Sequence, residues 1–232
     1  MFLDGATNHL PLHSAGINIA PGFADTQKHL AGLIEKVKTN PKIKVVTGAE
    51  IRKIDGFIGN YKTTIAAGGQ EQQYDHGVVL VATGAYELET KEYGYGTREA
   101  IVVQRDLEKM IHDRDDKVGA ARNVVMIQCV GSRSFERPYC SRYCCSEAIK
   151  NALKLKELDP EKDVTILYRD IRTYGLKEDF YKKARELNVK FVRFDEERKP
   201  EVKVDGGKVT VSVFDPVMNE PVDLRADILA LS

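Results

Sequence analysis

All four cysteines of the chain stand between residues 129 and 145, in the stretch QCVGSRSFERPYCSRYCCSEA, spaced C-x10-C-x3-C-C. Thiols gathered this way can do several kinds of chemistry. As thiolates they bind zinc or the irons of an iron–sulfur cluster. As a pair they cycle between dithiol and disulfide; Cys140 could bridge to Cys144 or Cys145, whereas the adjacent Cys144 and Cys145 would bridge only across a strained peptide. They can also be buried, inert thiols. Structural zinc usually takes two separated C-x2-C knuckles, and this spacing lacks them. Spacing alone leaves these alternatives open, leaning to iron and sulfide. Arg133, Arg137 and Arg142 add positive charge, and Tyr139 and Tyr143 flank the sulfurs, where they are expected to exclude water.

These residues need a strand, a loop and a helix to bring them together. NVVMIQC reads as a buried strand with Cys129 at its carboxyl end. Ser141 to Leu158 reads as a helix with Ala148, Ile149, Ala152, Leu153 and Leu155 on its apolar side. In open α/β sheets ligands bind beyond the carboxyl ends of strands, near helix N-termini. The positive end of the helix dipole there favours thiolate over thiol. Were Cys140 already helical, it would share a face with Cys144. A nicotinamide-binding unit needs G-x-G-x-x-G in this slot. Gly131 is the one glycine present there, which argues against NAD(P).

The wider pattern supplies the frame. After the cysteine helix come the strand DVTILYRD, a helix over Lys177 to Leu187, the strand VKFVRF, the alternating antiparallel strand KVTVSVFD and the apolar ADILALS. That order is βαβαβ with an antiparallel excursion. Upstream, Asp25 to Lys38 reads as a helix carrying Leu30, Leu33, Ile34 and Val37, ended by Asn40-Pro41. IKVVTGAEIRKIDG and NYKTTIAAGG read as strands, and GVVLVATGAY as a strand buried on both faces. The expected fold is α/β, with two Rossmann-like units of the FAD/NAD-linked reductase type, three-layered, with antiparallel excursions. Residues 1–113 form a partial FAD-binding-type unit, and residues 114–232 a nicotinamide-domain-like unit carrying the cysteines.

Composition narrows the function classes. Acidic and basic residues number 35 each in 232, so nothing in the net charge suggests nucleic acid or an anionic membrane as partner. No stretch approaches the about 20 apolar residues of a membrane span, and MFLDGATNHLPLHSAG lacks the pattern of a secretory signal. A cytoplasmic protein is expected, where thiols stay reduced. His9 and His13 are four apart with Pro11 between them and read as loop residues. The close on ADILALS, with no opening strand, suggests a fragment of a longer protein or one partner of a complex.

Taken together, IQCVGSR, PYCSRYCC, AIKNALKLKE, VTILYRDIRTYG and DFYKKARELNVKFVR, preceded by VVLVATGAYE, YGYG and the LEKM segment, resemble the A-subunit family of heterodisulfide reductases. The resemblance runs from about Ile43 to Ser232. It implies a thioredoxin-reductase-like architecture with FAD and a 4Fe–4S cluster. Carried over by residue, the cluster ligands would be Cys129, Cys140, Cys144 and Cys145. FAD contacts would fall at Thr83, Gly84 and the backbone near Ile51. The chain departs from the family in having no FAD glycine motif, expected upstream of Met1, and no inserted ferredoxin-like C-x2-C-x2-C runs after IRKIDGFIGNYK. One four-cysteine cluster is therefore its maximum, and its FAD site is expected to be incomplete.

The resemblance implies an electron-transfer subunit, or a fragment of one, not active alone. It would pass electrons between FAD and the cluster to other subunits of a redox complex. A homo-oligomer is compatible with this. The alternative is a cofactor-free or zinc-stapled docking module. A nicotinamide-dependent disulfide oxidoreductase fits less well, given the missing glycine loop.

Overall fold

A computed structural model of the chain describes residues 2–4, 26–83 and 88–232. They fall into two units, the first within residues 2–83 and the second over 88–232.

In the first unit, β1 (Phe2–Asp4), an opening strand not expected from the sequence, pairs in parallel with β2 (Val45–Thr47), and α1 (Thr26–Thr39) lies between them in the chain. β3 (Glu50–Phe57), β4 (Asn60–Ala67) and β5 (Gln70–His76) form an antiparallel meander. Gly68 and Gly69 turn β4 into β5 with φ of 58° and 78°. Two successive left-handed residues are what a tight hairpin with the native twist demands. Thr63 and Ile65 are buried on β4, and Thr63 Oγ1 lies 2.7 Å from His76 Nε2 across the ladder. The α1 helix forms where the periodicity puts it, but Leu33 and Ile34 stand 45% and 44% exposed.

The apolar run VVLVAT is not the expected buried strand. Residues 78–83 lack strand structure, and Leu80 and Val81 are 89% and 81% exposed. A doubly buried strand needs hydrogen-bonded neighbours on both edges and cover on both faces. Among the described residues, no strand pairs with this run.

The second unit is a Rossmann-like α/β domain. Its strands are β6 (Ile101–Val103), β7 (Asn123–Ile127), β8 (Asp163–Tyr168), β9 (Lys190–Arg193) and, after β10 (Glu201–Asp205), β11 (Lys208–Asp215) and β12 (Glu220–Ala226), β13 (Ile228–Leu231). Helices α2 (Gln104–His112), α3 (Asp116–Ala120), α4 (Cys144–Leu158) and α5 (Glu178–Glu186) intervene. Five parallel strands run in the order β6-β13-β7-β8-β9, and β10-β11-β12 form a separate antiparallel sheet. Leu107, Ile111, Ile149, Leu155 and Ala184 of the helices pack on Val124, Met126, Ile166 and Ala230 of one sheet face. On the other face, Val125, Ile127, Leu167 and Leu229 meet Val209, Val211 and Val213 of β11. Helices, parallel sheet and antiparallel sheet thus make three layers. Strict alternation along KVTVSVFD is the signature of β11's one buried face.

Leu88 to Asp113, expected from the sequence to belong with the first unit, packs with the second. β6 pairs with β13, and α2 lies against α4. Three residues of β6 are too few to announce this from the sequence.

Buried polar groups pin the layers. Asp227 Oδ2 accepts from the Arg122 and Asn123 backbone N–H groups, each at 2.9 Å, tying the start of β13 to that of β7. Burial tends to raise this carboxyl's pKa, but those N–H donors, the Asn123 amide and Arg225 together hold it below its ordinary value. Lys162, 1% exposed, donates to the carbonyls of Val118 (2.8 Å), Gly119 (3.2 Å) and Ala121 (2.5 Å), closing the end of α3. Lys162→Met, similar in length but with no donor, is expected to cost about 3 kcal/mol by stranding those carbonyls. A urea midpoint that falls at constant m-value checks this; an unmoved midpoint would show that other donors replace the ammonium.

Candidate functional site

β7 ends against β8 and β13: Gln128 N donates to Leu167 O at 2.9 Å, and Val130 N to Ser232 O at 2.6 Å. Between them Cys129 takes a φ of 64°, a left-handed conformation uncommon for a residue with a side chain. Gly131 follows at 67°; a Cβ there would stand 2.6 Å from the Leu88 Cδ2, and its N–H is taken by Glu92 Oε1 at 2.9 Å. Arg133 and Arg142 are left-handed too, at 57° and 63°. The loop folds back on itself through Arg133 N to Tyr139 O (3.2 Å) and Ser134 N to Arg137 O (3.0 Å). Strained conformations clustered beside a strand end are held by their surroundings and mark a place to look for function.

The helix opens at Cys144, not Ser141, because the left-handed backbone at Arg142 interrupts it. Cys140 therefore lies in the loop and does not share a helical face with Cys144. Tyr143 caps α4 without a side-chain hydrogen bond, leaving the first-turn N–H groups directed at this corner. Cys144 and Cys145 are buried, while Cys129 and Cys140 are partly exposed.

Each sulfur has polar company. The Ser141 hydroxyl donates to Cys144 Sγ (3.4 Å), the Arg142 backbone N–H to Cys140 Sγ (3.3 Å) and Arg133 Nη1 to Cys129 Sγ (3.9 Å). The Cys145 thiol is within reach of the Asp170 carbonyl at 3.6 Å and of the Cys144 sulfur. Donation from Cys145 draws the Cys144 pKa down to about 6 against the cost of burial, helped by Ser141 and the helix N–H groups. Cys145, the donor, is pushed up correspondingly. Burial raises Cys129, and the neighbouring Cys144 adds to this, while Arg133 works the other way. The adjacent pair loses one proton readily and holds the second.

Titrating the ultraviolet thiolate absorbance of reduced, metal-free protein is therefore expected to show one thiolate forming as pH rises through about 6. An ordinary thiol would wait for 9.0. Cys144→Ser should remove that early step; its persistence would move the low-pKa thiol elsewhere.

The structure thus brings Cys129, Cys144 and Cys145 into electrostatic contact at the carboxyl end of β7. Cys140 is tied in through the chain two residues on. Among the described residues, no group of three or more His, Cys, Asp or Glu side chains is arranged to hold a metal ion. The donor set, four thiols at one strand–helix corner with cationic and N–H donors to sulfur, has the chemistry of a soft-metal or iron–sulfur site. The sulfurs are not drawn into a common coordination shell.

The expected FAD residues lie apart in the sequence and in the first unit. Ile51 is on β3, paired with Ile65 and 49% exposed. Thr83 is exposed in the non-strand segment. Gly84, His9 and His13 lie outside the described residues. Tyr139 and Tyr143, expected to exclude water, are 66% and 56% exposed, while Cys144 and Cys145 are buried. Sequence reasoning missed Asp170, whose side chain holds Arg133 at 2.6 Å, and Glu92, which caps Gly131. Both belong to other elements, and only the parallel sheet register brings Asp170 here. A cleft of about 490 Å³ opens beside the loop, lined by Leu88, Glu92, Gly131, Phe135, Arg137 and Lys199 among others. Among the described residues, no helix is long and apolar enough to cross a membrane.

No family model matches the chain. The A-subunit of the H2/formate:CoB–CoM heterodisulfide,ferredoxin reductase of Methanococcus maripaludis is 37% identical over 185 residues, covering 70% of this chain and 27% of that protein. The iron-sulfur A-subunit of the CoB–CoM heterodisulfide reductase of Methanocaldococcus jannaschii is 27% identical over 298 residues, covering 88% of this chain and 45% of its own. The chain thus spans less than half the length of these relatives. In fold it is similar to the FAD-bound crystal structure of DfoA, a cadaverine monooxygenase of Erwinia amylovora, at a TM-score of 0.51 and 9% identity. That match covers 90% of this chain and 56% of the other.

Proposed function

This chain is a homologue of the A-subunits of heterodisulfide reductases, and from that premise we propose that it is an electron-transfer subunit, or part of one, of a heterodisulfide reductase-like oxidoreductase. Cys129, Cys140, Cys144 and Cys145 would hold a 4Fe–4S cluster. One observation carries the reading: the corner where a dinucleotide phosphate loop belongs holds all four thiols of the chain instead. Bound there, the cluster supplies a one-electron site. The protein's part is to fix the sulfurs, with N–H groups of the α4 first turn and a guanidinium favouring the more negative state.

FAD, with contacts at Ile51, Thr83 and Gly84, belongs to the same reading, with the first unit on the flavin side. Other subunits of a cytoplasmic redox complex would exchange electrons with it. The alternative reading is a docking module that is cofactor-free or stapled by zinc.

Protein purified without oxygen and assayed for iron, acid-labile sulfide, zinc and flavin decides between them. About four irons and four sulfides per chain support the electron-transfer reading. One zinc without sulfide, or no metal after anaerobic reconstitution, supports the docking module.

A further inference from the structure

We propose that Arg133 is a positioning residue of the sulfur corner, anchored by Asp170 so that its guanidinium bears on the Cys129 sulfur. Its redox consequence rests on the ligand set proposed above; its geometry does not. Arg133 Nη2 is 2.6 Å from Asp170 Oδ2 and Nη1 is 3.9 Å from Cys129 Sγ, with the side chain 16% exposed. A planar fork spans two partners at once, which a lysine cannot do.

The backbone is held to suit. Arg133 is left-handed, and its carbonyl accepts from Arg169 Nη1 at 2.7 Å. Arg169 is fixed in turn by Glu196 through its other nitrogen, at 2.7 Å. Arg169 and Asp170 directly follow β8, so the exit of one strand clamps the exit loop of its neighbour. The Asp170 carbonyl also faces the Cys145 thiol at 3.6 Å. One dipeptide thus reaches both ends of the sulfur set. Of the three arginines near the cysteines in sequence, the structure puts the guanidinium of Arg133 on a sulfur; Arg142 meets Cys140 through its backbone N–H. Arg172 Nη2 lies 3.6 Å from Asp170 and shares that carboxylate. A cation at this distance favours the anionic form of sulfur and, with a cluster bound, the reduced state.

The test uses the full chain, reduced and metal-free, with Cys140, Cys144 and Cys145 changed to Ser so that Cys129 is the one thiol. Its rate with an anionic aromatic disulfide is divided by its rate with a neutral dipyridyl disulfide. The ratio reports local charge and cancels general exposure. Arg133→Gln and Arg133→Ala are expected to lower it by about threefold or more, with Arg133→Lys between them and the parent. The Gln variant keeps a polar partner for Asp170, so it serves if the Ala variant fails to fold. A ratio unchanged in the Gln variant, or a Lys variant no better than Gln, overturns the assignment.

In four-cysteine protein carrying iron and sulfide, the midpoint potential should fall in the same order. A ratio that follows the order with a potential that does not move overturns the redox consequence. Should the chain take up no iron, the proposed function fails, while the ratio still decides the place of Arg133.

Discussion

Glu108→Ala is expected to destabilise the second unit by about 3–5 kcal/mol and to lower its Tm by about 10 °C. Lys150 Nζ lies 2.6 Å from Glu108 Oε2, with the two side chains 2% and 6% exposed. The pair crosses from α2 to α4 inside the helix layer. Beside it, Asn151 Nδ2 donates to Gln104 O at 3.0 Å and Oε1 at 2.9 Å. Truncating the carboxylate leaves a buried ammonium whose loss of water is no longer compensated. The double change Glu108→Leu with Lys150→Met should recover most of the loss, because replacing a buried ion pair by apolar groups of similar volume is often near neutral. Urea unfolding of the three proteins checks both halves. A Glu108→Ala protein within about 1 kcal/mol of the parent would mean that water or another anion reaches Lys150.

Cys144→Ser is expected to take anaerobically reconstituted protein from about four irons per chain to an incomplete cluster or none. A serine hydroxyl keeps the size but neither the softness nor the ease of ionisation of the thiol. Cys144 carries the strongest local signature for the role: burial, a lowered pKa and a place in the first turn of α4. Cys140→Ser probes the other extreme, a loop thiol in contact with one backbone N–H. If both variants lose iron, the open arrangement of the sulfurs closes around the metal. If Cys140→Ser keeps full iron and sulfide, the four-cysteine set is wrong. His13→Ala should leave the metal content unchanged. Full iron and sulfide in the Cys144→Ser protein would refute the ligand assignment outright.

The βαβαβ core of the second unit, β7 to β9 with α4 and α5, was legible because its strands are short, largely apolar runs and its helices have a helical period. The alternation Val209, Val211, Val213 likewise betrayed the third layer. The same logic misled at Val78 to Val81, since an apolar run says what a segment could bury but not whether neighbours exist to bury it. The start of α4 moved three residues because Arg142 is left-handed, and nothing in the residue types around it announces that. The cysteines were found by type and spacing, their partners were not. Asp170 is 37 residues from Arg133, and Glu92 is 39 from Gly131. Those pairings exist only once strands are in register.

The position of β13 bears on how the chain comes to be folded. All four of its residues are buried, and it separates β6 from β7, strands made much earlier. Asn123 and Asp227, which join the two strands at their start, are 104 residues apart. Until that loop closes, β6 and β7 each offer an open edge, the kind of template on which other chains pair. Closure over such a distance is slow. A growing chain therefore spends the synthesis of β8 to β12 with the place between β6 and β7 vacant. Aggregation during expression should track the arrival of residues 228–231 more closely than the stability of the finished sheet.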